Sequence, residues 1–138
     1  MTDKLYKRLT ALVILEQKIR RAEIELEEFY SLIGGLTAIR YDKDRVQTSP
    51  EDVLGNNMAK LDQMQRTLDG LRSKVPLTLE SVTALINRVE DENQKTVLYC
   101  RYVKRIKFEQ IASEMGYGVD NIYCLHRKGI RELEKSLQ

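Results

Sequence analysis

Between Arg101 and Arg131 the chain sets two groups of cations around Asp120, Asn121 and Tyr123. The first group is Lys104, Arg105 and Lys107; the second is Arg127, Lys128 and Arg131. Residues of these types can hold a polyanion and also read it. Lys and Arg neutralise phosphates, which grips a nucleic acid without distinguishing its sequence. Asn can pair bidentately with adenine and Arg with guanine, while Asp accepts from cytosine. Tyr123 and Arg127 lie four apart and so share a helix face. Whole-chain charge hides this pattern, since 23 Lys and Arg against 21 Asp and Glu leave a net charge of only +2. Its distribution reveals it. Residues 1–98 carry 15 basic and 16 acidic residues, whereas residues 99–138 carry 8 and 5. An ordinary solvated face would account for Arg127 and Lys128 equally well, so the elements beneath them matter.

Other chemistries lack their residues. The sequence has no phosphate-cradling GxxxxGK, no HExxH and no cluster of histidines or cysteines. Cys100 and Cys124 stand in apolar surroundings without CxxC spacing, which predicts a buried, reduced pair. His126 is the single histidine and reads as a half-buried helix residue. It lies two residues from Cys124, a spacing that points the two side chains apart on a helix and defeats a Cys–His dyad. Asp42 and Asp44 read as a solvated loop rather than a metal site. The expectation is a protein that is not an enzyme and needs no cofactor or metal.

The elements follow from periodicity. Phe108, Ile111, Ala112 and Met115 form a short apolar face, Gly116 suits a helix C-cap, and Tyr117-Gly118 make a turn. A second helix then turns Ile122, Leu125, Ile130 and Leu133 inward and leaves Val119, Asp120, Tyr123, Arg127 and Lys128 outward. Small Ala112 permits a close crossing. This is the layout of a helix-turn-helix, whose second helix enters the major groove. A plain αα corner has the same shape.

Upstream, Leu5, Leu12, Ile19, Leu26 and Ile33 recur every seven residues and predict one helix from about Asp3 to Ile33, stopped by Gly34-Gly35. A connector over 36–48 follows. Ser49 as N-cap and Pro50 in the first turn then open a second helix, on which Leu54, Leu61, Leu68, Val75, Val82 and Val89 again fall at sevens. Leu12, Ile19, Leu26 and Phe29 are expected to pack against Leu54, Leu61 and Leu68, within one chain or between two copies. Pro76 predicts a kink or short break near 74–78, with Thr78 capping the resumed helix and Leu77 and Val82 as a hydrophobic staple. Glu90-Asp91-Glu92-Asn93 ends one helix and opens the next. No run is apolar enough for a signal peptide or a membrane span, which predicts a soluble, intracellular protein.

The stretch VLYCRYVKRIKFEQIASEMGYGVDNIYCLHRKGIREL resembles the promoter-binding region four of bacterial sigma factors. Val97-Leu98 and Arg101-Tyr102 match its first helix. Glu109, Ile111, Met115 and Gly116 match the second, and Ile122, Leu125, Ile130, Arg131 and Leu133 match the recognition helix. The whole is more similar to small phage-encoded, sigma-like regulators of late transcription, of the ArpU and RinA type. That resemblance implies double-stranded DNA and bacterial RNA polymerase as partners, and the bacterial cytoplasm as location. The chain departs from the pattern at Gly118, where such families place Ser or Thr, at Lys107, where they place a capping Thr, and at Val119, Asp120, Tyr123 and Cys124 among the base-reading positions. The target is therefore not the standard promoter element. Nothing in the first 90 residues matches the polymerase-binding or promoter-melting parts of a sigma factor.

The expected fold is all-α, a long N-terminal helical hairpin or coiled coil over 1–90 and a helix-turn-helix over 91–138. The leading expectation is a sequence-specific DNA-binding transcriptional regulator, with homodimers permitted by the heptad seams. A small terminase-like subunit for DNA packaging, or a module that binds only RNA polymerase, would use similar elements.

Overall fold

Thr2 accepts the amide of Leu5 and so caps a first helix, α1 (Asp3–Leu9), which Asp3 suits by meeting the positive end of its dipole. In the computed structural model, residues 1–42 and 50–138 are described, with side chains outside 35–53. Helix α2 (Ala11–Asp42) follows α1 almost without interruption. Thr10 donates both its amide and its hydroxyl to the Tyr6 carbonyl, and its own carbonyl still accepts from Ile14. The single helix expected from Asp3 is thus two, divided at Thr10, whose ψ of 3° departs from the helical value and whose hydroxyl shares the Tyr6 carbonyl with its amide.

Helix α2 also runs through Gly34 and Gly35, which do not stop it. A glycine inside a helix costs only about 1 kcal/mol, and it terminates one when it adopts positive φ. Among the described residues only Gly116 does so. Half of the expected connector over 36–48 is therefore helical; its remainder, Ser49 as N-cap, Asp44 and the side chain of Asp42 lie outside the described residues.

Helix α3 (Pro50–Ser73) begins at the expected proline. It parts from α4 (Val75–Ile86) at Lys74, as Pro76 requires. Pro76 occupies the first turn of α4, where its missing N–H would have no partner anyway. Thr78 is inside the helix rather than at its cap, and Leu77 is 72% exposed, so no staple forms. Helices α5 (Glu92–Tyr102), α6 (Phe108–Met115) and α7 (Val119–Ser136) complete the chain. Asp91 caps α5 by accepting the Gln94 amide at 2.9 Å. The regular secondary structure of the described residues is entirely α-helical. No helix among them is long and apolar enough to cross a membrane.

Two compact units result, and neither ends at residue 90. The first joins Met1–Glu16 to Val75–Gln138; the second is Gln17–Lys74. In the first, Leu5, Leu9 and Leu12 are buried with Val82, Leu85, Ile86, Val89, Leu98, Tyr102, Ile130 and Leu133 in one core. Leu12, expected against α3, is spent here. In the second unit Leu61 and Leu68 are buried, Leu54 is exposed, and two polar contacts join α2 to α3. Arg72 reaches Glu23 at 3.2 Å and Lys60 sits 5.0 Å from the centroid of the Phe29 ring, so the helices pass in opposite senses.

A close approach of α5 and α7 depends on Gly129, buried in α7. A Cβ built there would lie 2.9 Å from Cδ1 and 3.3 Å from Cγ of Leu98, which is itself fully buried. Alanine at 129 gains about 1 kcal/mol in helix propensity, but overpacking a closed core costs about 1–3 kcal/mol. Gly129→Ala should therefore lower the urea midpoint, and Leu98→Val in the same chain should recover part of the loss. A stabilised Gly129→Ala protein would contradict this packing.

Candidate nucleic-acid interface

The turn between α6 and α7 is built as the glycines suggest. Gly116 has φ 74°, in the left-handed region, and the Tyr117 amide returns to the Ala112 carbonyl at 3.0 Å in the manner of a Schellman terminus. Gly118 then starts α7 with extended backbone and no side-chain cap. Val97, Ile111, Ala112 and Ile122 are buried together where α5, α6 and α7 meet, with Cys100, Ile106, Phe108, Met115, Val119 and Leu125 packed on them. Both cysteines are free and half-buried rather than fully enclosed. Burial pushes the Cys100 thiol up and the nearby Lys104 moderates the rise.

The burial of Ile122, Gly129, Ile130 and Leu133 fixes which face of α7 meets solvent. Asp120, Asn121, Tyr123, Arg127, Lys128 and Arg131 are all exposed, as are Lys104, Arg105 and Lys107 before α6. Asp120, Arg127 and Arg131 are spaced seven and four apart and form one stripe, with Lys128 beside it. Among the described residues no ion pair engages Lys104, Lys107, Arg127, Lys128 or Arg131.

Arg105 differs. Its guanidinium pairs with Glu16 at the N-terminal end of α2, at 2.5 Å. Its backbone is held at φ 56°, an uncommon conformation for a residue with a Cβ. The neighbouring amides hold the turn, Lys104 donating to Tyr99 and Ile106 to Cys100. Arg105 thus serves to fasten the loop to the N-terminal segment, a role the sequence does not announce because Glu16 is so distant along the chain.

An aromatic group closes one flank of the exposed face. The rings of Phe108 and Tyr123 are 4.8 Å apart and tilted by 43°. The Arg101 guanidinium covers Phe108 at 4.5 Å, while its Nη1 donates to the Ile106 carbonyl at 3.4 Å. His126 meets Phe108 edge-on at 5.2 Å, and its Nε2 shares a hydrogen bond with the Tyr102 hydroxyl at 2.8 Å. Aromatic pairs of this kind add about 0.5–1.5 kcal/mol beyond burial. The sequence places Phe108 on an apolar face and Arg101 in the α5 motif, but connects neither with Tyr123.

Burial, and then the Arg101 charge, hold the His126 pKa below the ordinary 6.5. The unfolded chain consequently binds a proton more readily than the native one. The contribution of His126 to stability is complete above pH 6.5 and falls as pH drops through it toward the lower native value. His126→Gln should remove this part of the decline, so urea unfolding at pH 7.5 and pH 5 should differ more for the unaltered protein than for the variant. Equal declines would assign the effect to other groups.

Comparison with protein-family models, with curated proteins and with solved structures finds no match to this chain.

Proposed function

We propose that α6 and α7 are a helix-turn-helix and that this protein is a sequence-specific double-stranded DNA-binding regulator of transcription, of the phage sigma-like kind. The observation that carries the reading is the exposed face of α7. Its cations have no ionic partner among the described residues, and it lies beyond a glycine turn on a helix packed against α6. Base contacts come mainly from the first turns of a recognition helix. Asp120, Asn121 and Tyr123 there discriminate bases; Arg127, Lys128 and Arg131 grip the backbone, aided by Lys104 and Lys107. Arg105, held by Glu16, contributes less. Helices α2 and α3 supply a hairpin suited to pairing with a second copy, and RNA polymerase is the further partner the resemblance implies.

Titration of the full chain against a random-sequence duplex pool at about 50 and 200 mM salt tests the reading. Affinity should fall steeply with salt, and repeated selection should enrich one sequence. Salt-insensitive or undetectable DNA binding together with polymerase binding would favour a protein-interaction module. A ring of many subunits in solution would favour a terminase-like packaging subunit.

A further inference from the structure

We infer that Phe108, clamped by Arg101, is a positioning residue that presents Tyr123 to base-pair edges in the major groove. The inference rests on the DNA-binding reading above. Tyr123 is 40% exposed near the start of α7, and a side chain so placed on an open surface would sample several rotamers. Here its ring leans on Phe108, and Phe108 is bounded in turn by the guanidinium of Arg101 and the edge of His126. Arg101 is fixed at its other contact by the Ile106 carbonyl, in the loop that leads into α6. The stack therefore spans α5, α6 and α7, and Tyr123 is its most exposed aromatic member, Phe108 and His126 being half-buried. Restricting a contact residue before binding reduces the entropy lost on binding, so a preset Tyr123 favours the duplex whose edge matches its position. Its hydroxyl can donate or accept at a base edge, and its ring can meet a thymine methyl. Phe108 and Arg101 need not touch DNA to affect which base is chosen.

The distinguishing measurement is the ratio of affinities for a selected duplex and a scrambled one, taken for the full chain in a double-mutant cycle. Tyr123→Ala should reduce this ratio by about 5- to 150-fold. Phe108→Leu, which keeps an apolar group, should reduce it in the same direction while leaving binding to the scrambled duplex and the salt slope unchanged. The pair Phe108→Leu with Tyr123→Ala should lose no more than Tyr123→Ala alone, which a general weakening of the fold would not produce. Arg101→Lys provides a second route should Phe108→Leu fail to fold. It keeps the charge but loses the planar guanidinium, and it should again be silent once Tyr123 is alanine. Full additivity in either cycle, or an unchanged ratio in the single variants, would overturn the positioning role while leaving DNA binding in place. Failure of any duplex to be selected would overturn both.

Discussion

Replacing Leu9 by alanine is expected to destabilise α7, although the two are more than a hundred residues apart in the chain. Leu9 is fully buried in the same core as Leu133 and Ile130 of α7 and Leu98 of α5. Removing a buried leucine side chain costs about 2–5 kcal/mol, the larger values applying where the surroundings cannot collapse into the space. Leu9→Ala and Leu133→Ala should therefore shift the same urea transition by similar amounts, and amide exchange should accelerate throughout α7 in both. Were residues 91–138 an independent domain, Leu9→Ala would leave α7 exchange untouched. That outcome would rule out the shared core.

Alanine at Lys104, Lys107 and Lys128 together should weaken binding to all duplexes alike. Each phosphate contact adds about 0.9 to the slope of log affinity against log salt, so losing three makes it roughly 2.7 shallower and binding near 0.1 M salt several hundredfold weaker. Arg105→Ala should change the slope less, because its guanidinium is already paired with Glu16. Asn121→Ala should do the reverse, costing about 1–3 kcal/mol on a selected duplex and little on a scrambled one. Its side chain is exposed, so unfolding should be nearly unaffected. A changed sequence preference in the triple lysine variant, or an equal loss on both duplexes for Asn121→Ala, would refute this partition.

Local chemistry alone determined much of this protein. The apolar spacing of Ile111, Ala112, Ile122, Ile130 and Leu133, with a glycine able to take positive φ between the helices, defines α6, α7 and their turn. The same spacing makes Asp120, Asn121, Tyr123, Arg127, Lys128 and Arg131 exposed, because side chains at fixed intervals on a helix occupy fixed faces. Pro76 marked the break at Lys74 because a ring without an N–H belongs in a first turn. Tertiary structure decided what those faces meet. The heptad leucines Leu5 and Leu12 were equally suited to α3 or to any other apolar stripe, and together with Leu9, which lies outside the seven-residue series, they found α4, α5 and α7. The pairing of Glu16 with Arg105, and the contact of Phe108 with Tyr123 under Arg101, join residues on different elements. Periodicity identifies the face that must be covered, but the covering residue is selected by chain path and shape, which no interval along the sequence encodes.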